Sequence, residues 1–93
     1  MNQAAQSRKI KIINKLGLHA RAAAKFVTLA AGFEAEIMVH RGEREVNGKS
    51  IMGVMMLAAA QGTEIELVAS GSDALSALDA LETLINNRFD EDE

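Results

Sequence analysis

Thr63-Glu64-Ile65-Glu66-Leu67-Val68-Ala69 alternates without a break, with Ile65, Leu67 and Ala69 on one side and Glu64, Glu66 and Val68 on the other. Successive side chains of a strand point to opposite faces, so this stretch predicts a half-buried β-strand. The period changes after it. Gly71-Ser72-Asp73 offers a serine N-cap with an acid in the first turn. Leu75, Leu78, Leu81 and Ile85 then recur three, three and four residues apart, which predicts a helix ending near Asn87. Working backwards, Gln61-Gly62 is a break. Ser50 to Leu57 predicts a second, shorter helix, with Lys49 or Ser50 at its start and Ile51, Val54 and Met55 on a buried face. Glu34 to His40 alternates again, burying Ala35, Ile37 and Val39. Arg41-Gly42-Glu43 turns it into a returning strand, Arg44 to Val46, giving a hairpin. Ala20 to Ala31 is alanine-rich and predicts a helix, with Ala23, Phe26, Val27 and Ala30 inward and Gly32 at its C-cap. Lys9 to Ile13 predicts the first strand. The order β-α-β-β-α-β-α predicts an α+β fold, one sheet covered on one face by three helices.

The composition narrows the function. A chain of 93 residues holds one core. The expected layout is a flexible leader over 1–8, a single domain over 9–88 and an acidic tail over 89–93. With 48% hydrophobic and 25% charged residues, the chain is an ordinary globular one. It has no cysteine, so disulfides and thiolate metal sites are excluded. Aromatic residues make up only 3%, too few for base-stacking platforms. The net charge of -3 is set by Asp90, Glu91, Asp92 and Glu93; without them nine acids face ten Lys and Arg. That is not the strong basic footprint of a nucleic-acid binder. No stretch approaches the ~20 apolar residues of a membrane span, and Met1 to Ser7 lacks an apolar signal core. The expected location is the cytoplasm.

Few residues offer chemistry. His40 ends a strand on its exposed side. His19 follows Gly17 in a loop, opens the first helix and has Arg21 two residues on. A helix N-terminus attracts anions and disfavours an imidazolium, and the guanidinium of Arg21 suits phosphate oxygens. These features describe a neutral histidine able to carry a phosphoryl group, beside the simpler reading of a capping histidine. Two histidines on separate elements do not make a zinc site, so no metal is expected. Gly48-Lys49-Ser50 is not a phosphate-binding P-loop, because the required first glycine falls at Glu43. Ser50 reads as an N-cap, a place that also tolerates a phosphate. Met52 and Met56 lie together as core or as an adaptable docking patch.

Gly17-Leu18-His19-Ala20-Arg21, followed by Ala23-Ala24-Lys25-Phe26-Val27, resembles the active-site segment of the HPr family, the histidine phosphocarriers of the bacterial phosphoenolpyruvate-dependent phosphotransferase system. Val46-Asn47-Gly48-Lys49-Ser50-Ile51-Met52-Gly53-Val54-Met55-Met56-Leu57 resembles that family's regulatory-serine segment, and the likeness runs from about Lys9 to Arg88. It implies an open-faced sandwich with an antiparallel sheet in the order 1-4-2-3. It also implies that His19 accepts a phosphoryl group on Nδ1 from phospho-enzyme I and passes it to an enzyme IIA-type acceptor, with Arg21 stabilising the charge. Ser50 would be the target of an HPr kinase/phosphorylase. Ala20, Lys25, Lys49, Ile51, Met52 and Met55 would form the docking surface of a monomer needing no cofactor beyond the transferred group. Ala22 stands where the family usually has proline. It resembles the proteobacterial branch that includes the nitrogen-related phosphotransferase system.

Two other readings share these residues. One is a regulatory partner-binding module governed by Ser50. The other is a ferredoxin-like metabolite sensor, against which the extra helix and the loop histidine count. Arg21, Lys25, Lys49 and Arg44 are expected to make a basic working face, and removal of Asp90 to Glu93 is expected to leave phosphoryl transfer nearly intact.

Overall fold

A computed structural model of the chain describes residues 4–92. Strand β1 (Gln6–Lys11) leads into helix α1 (Ala20–Ala31) and the hairpin β2 (Glu36–Arg41) and β3 (Arg44–Asn47). Helix α2 (Ile51–Met56), strand β4 (Glu64–Ser70) and helix α3 (Ala74–Asn86) follow, with a final turn at Arg88–Asp90. The sheet is antiparallel throughout, in the order β1-β4-β2-β3. The alternating stretch read first is thus a central strand. Ile65, Leu67 and Ala69 face the helices and are almost fully buried, as are Ile37 and Val39 on the neighbouring strand. Phe26 and Phe89 are the bulkiest fully buried side chains of this single core.

The opposite face is open. Across it Lys9 pairs in register with Glu66, Glu66 with His40, and His40 with Glu45. Alternating charges make this face compatible with water. His40 Nε2 lies 2.9 Å from Glu45 Oε2, so the histidine is partnered across the open face.

Several boundaries differ from the sequence expectations, each for a physical reason. The leader assigned to 1–8 is a strand from Gln6 onward, because β4 extends far enough to pair Gln6 with Ala69. Arg8 then reaches α3, bonding Asp79 at 2.7 Å and Glu82 at 2.8 Å. The leader reading at Met1, Asn2 and Gln3 lies outside the described residues. In α3 the buried set is Ala74, Ala77, Leu78, Leu81 and Ile85, whereas Leu75 is 55% exposed. The helix is turned so that alanines approach the sheet closely. In α2 only Val54 is buried; Ile51 and Met55 are exposed, because six residues give just one inward position. Gly32 caps α1 in a right-handed conformation (φ −76°, ψ −7°), not the left-handed one that favours glycine. No helix among the described residues is long and apolar enough to cross a membrane.

The N-cap of α3 is Asp73, not Ser72. Its carboxylate accepts hydrogen bonds from the backbone N–H of Glu34 (2.9 Å) and Ala35 (2.8 Å), pinning the loop after α1 to the start of α3. The bond from Glu34 leads in holding this carboxyl below the usual aspartate range, against the opposing effect of desolvation. A depressed native pKa adds stability above the unfolded value near ~3.9, and that stability is lost as pH falls through the native value. Asp73→Asn is therefore expected to lower Tm at pH 7 and to lose less further stability on acidification to pH 3 than the parent, read by calorimetry. Phe26→Ala should cost ~3–5 kcal/mol in urea unfolding.

Candidate functional site

The site is built from a loop that only glycine allows. Gly17 has φ +70°, and a Cβ there would lie 2.5 Å from the carbonyl oxygen of Ala59 and 2.9 Å from Cα of Ala60. The close approach lets the N–H of Leu18 donate to Ala59 O at 2.9 Å. It locks the loop before α1 onto the loop after α2. Asn14, fully buried, closes the turn by donating from Nδ2 to Gly17 O at 2.8 Å.

His19 leaves this loop in extended conformation as the N-cap of α1. Its carbonyl accepts the first helical bond, from Ala23 N at 2.8 Å. Its Nδ1 accepts from the N–H of Arg21 at 3.4 Å, a long contact at the positive end of the helix. The imidazole is 27% exposed. Arg21 and Ala20 are exposed beside it, and Ala22 turns into the core.

The other side of the ring is covered by residues that sequence reasoning took for a solvated tail. Arg88, Phe89 and Asp90 have φ of 58°, 54° and 63°, a turn of left-handed backbone. Such residues are individually disfavoured, and burial of Phe89 is what holds them. Lys25 Nζ adds a 2.8 Å bond to Phe89 O and lies 3.9 Å from Asp90. The chain is thereby directed back, so that Glu91 Oε2 meets Nε2 of His19 and Oε1 accepts from Asn14 Nδ2 at 2.9 Å. Burial pushes the Glu91 carboxyl up. The bonds from Asn14 and His19, with the charges of His19 and Arg21, outweigh it and hold the group below the usual carboxylate range. The boundary expected at 88 is corrected accordingly, since Phe89 belongs to the core and Glu91 reaches His19; Glu93 lies outside the described residues. A lone phenylalanine between Arg88 and Asp90 was the signal available, since a large aromatic among charges needs somewhere to be buried.

The other candidates divide. Ser50 is the N-cap of α2, its Oγ accepting from Gly53 N at 3.1 Å. Gly48 fits tightly before it, since a Cβ would lie 2.7 Å from Ile37 Cγ2. Ile51, Met52 and Met55 are exposed on α2, Met52 to 66%, and α2 packs beside α1. Two of the expected basic docking residues are partly spent on structure: Lys49 Nζ donates to Phe33 O at 2.6 Å, and Lys25 is tied to Phe89. Arg44 likewise donates to Met56 O, at 2.9 Å. Among the described residues no group of three or more His, Cys, Asp or Glu is placed to hold a metal ion.

Gly17→Ala should destabilise by more than ~1 kcal/mol, because both the positive φ and the contact with Ala59 oppose it. Phe89→Ala should cost ~3–5 kcal/mol in chemical denaturation, and exchange of the His19 ring environment in NMR should accompany it.

Comparison with known proteins agrees with this geometry. The family profile described as "PTS HPr component phosphorylation site" matches residues 6–87. The chain is 57% identical over 84 residues to phosphocarrier protein HPr of Neisseria meningitidis serogroup A, covering 90% of this chain and 94% of that one. It is 46% identical over 84 residues to phosphocarrier protein NPr of Shewanella violacea, covering 90% and 92%. Among solved structures, HPr-C-His from Thermoanaerobacter tengcongensis superposes with a TM-score of 0.91 at 44% identity, covering 95% of this chain and 99% of that one. The sheet order, the capping histidine and these likenesses over nearly the whole chain lead to one conclusion: the chain belongs to the HPr family of phosphocarrier proteins of the phosphotransferase system.

Proposed function

We propose that His19 accepts a phosphoryl group on Nδ1 from phosphorylated enzyme I, itself charged by phosphoenolpyruvate, and passes it to a histidine of an enzyme IIA-type acceptor. The observation that carries this reading is the placement of Nδ1. It is the ring atom facing the start of α1, where Arg21 N–H points at it. In the forward step the phosphorus–nitrogen bond of the donor breaks and its nitrogen keeps the electron pair. The Nδ1 lone pair forms the new bond. No proton need be lost from Nδ1, because a ring protonated on Nε2 presents a bare Nδ1. Backbone N–H groups at the helix start and the Arg21 guanidinium supply donors for the phosphoryl oxygens. The partner proteins contribute the rest of the catalytic surroundings, so the chain acts as a transferase component of a relay.

Docking is read onto Ala20, Ile51, Met52 and Met55, whose exposure supports an apolar contact surface next to α1. Phosphorylation of Ser50 by an HPr kinase/phosphorylase would place roughly two negative charges on that surface, at the price of the proton-donating freedom of the hydroxyl but with the helix dipole in favour. Acidic partner surfaces would then be repelled. The protein is read as a cytoplasmic monomer that exchanges partners.

Incubation with enzyme I and phosphoenolpyruvate should give an acid-labile, base-stable phosphate, and His19→Ala should abolish it. Undiminished labelling of that variant would remove His19 from the reaction. Ser50→Asp should slow transfer to His19 by about tenfold or more, as expected when a docking charge costs ~1.4 kcal/mol or above, measured by quenched-flow transfer from enzyme I.

A further inference from the structure

The carboxylate on the far side of the imidazole has a chemical consequence. A neutral imidazole carries its proton on one nitrogen, and the partner of each nitrogen decides which. An ionised carboxylate only accepts hydrogen bonds. Glu91 is held ionised, and its Oε2 faces Nε2 of His19. On the other side the partner of Nδ1 is a backbone N–H, which only donates. Both contacts select the same tautomer, with the proton on Nε2 and the lone pair on Nδ1. Glu91 is itself aimed, by Asn14 Nδ2 at 2.9 Å on its second oxygen and by the left-handed turn anchored through Phe89.

From this geometry we propose that Glu91 is a positioning residue for phosphoryl transfer: it fixes the Nε2-protonated tautomer of His19 and balances the positive charge that the ring acquires as the phosphorus–nitrogen bond forms. The proposal rests on the reading of His19 as the phosphoryl acceptor. When the Nδ1 lone pair attacks phosphorus, Nε2 keeps its proton and the ring becomes cationic. The donor nitrogen takes the electron pair of the broken bond. The Glu91 carboxylate, already in contact with Nε2–H, offsets the new charge without taking the proton. When the phosphoryl group passes on, the electron pair of the broken phosphorus–nitrogen bond returns to Nδ1, Nε2 keeps its proton beside Glu91, and the neutral tautomer is restored ready for the next transfer. The contact spans 72 positions of the chain. It works only because the terminal turn folds back over α1.

The test compares Glu91→Gln with Asp92→Asn, which removes the same charge one residue on from an exposed position. Both are read in two ways. Nitrogen-15 shifts of the His19 ring, taken at a pH where the ring is neutral, report the tautomer without any partner protein. Quenched-flow transfer from phospho-enzyme I reports the rate. Glu91→Gln is expected to move the ring away from the pure Nε2–H form and to slow transfer by about tenfold or more, the rate effect of ~1.4 kcal/mol. Asp92→Asn is expected to change neither. The proposal is overturned if Glu91→Gln keeps the parental ring shifts, if it transfers within twofold of the parent, or if Asp92→Asn slows transfer equally. Failure of the parent protein to be phosphorylated would instead overturn the acceptor role of His19, and the ring shifts would still decide the tautomer.

Discussion

A four-stranded sheet with helices on one side can bury only one of its faces, and every other feature of this molecule follows from that asymmetry. Ile65, Leu67 and Ala69 of β4 and Ile37 and Val39 of β2 supply the sheet half of the core. Ala22, Ala23 and Phe26 of α1 and Ala77, Leu78 and Leu81 of α3 supply the helical half. Alanines at the contact let the two long helices settle close to the sheet. The space left at the end of the core near α1 is filled by Phe89 rather than by a residue of any strand or long helix. The last hydrophobic anchor of the fold is therefore also what turns the chain toward His19. Core and site share a boundary, and a change in either is felt in the other.

Much of this was legible in the chain itself. Strict alternation in Thr63 to Ala69 located a central strand, and the run Ala20 to Ala31 matched α1 from end to end. Gly17, His19 and Arg21 stood out because a helix start has recognisable chemistry. The errors have a common cause, which is that periodicity says where a face is but not which neighbour it meets. Leu75 satisfies the leucine spacing of α3, yet Ala74 and Ala77 take the inward positions because the helix lies close to the sheet. Ile51 and Met55 look like core in sequence and are left outside by the shortness of α2.

The part of the site that was not legible is the part made by distant pairing. Nothing local marks Asn14 as the residue that will hold both Gly17 O and Glu91, or Glu91 as a partner of His19. A run of acids reads as solvated because in most chains it is. Here three successive left-handed residues, which local preference opposes, are held by one buried ring and a lysine bond. Tertiary burial outweighs backbone preference, and the charge pattern of a tail becomes one wall of a site.

The identity of the capping residue has a consequence for the free nucleophile itself. In the reaction proposed above, helix α1 begins on the very side chain that would be modified. A cap of serine or aspartate would be indifferent to that reaction, but a histidine cap carrying the phosphoryl group would exchange one weak nitrogen acceptor, at 3.4 Å, for three charged oxygens. Folding and loading are then thermodynamically linked. Whatever strengthens the phosphorylated cap of α1 must, by the same amount, strengthen the hold of the folded chain on its phosphoryl group. With His19 as the acceptor, the group-transfer potential of the carrier would in this sense be partly a property of a helix terminus, tuned by backbone geometry and not by the imidazole alone.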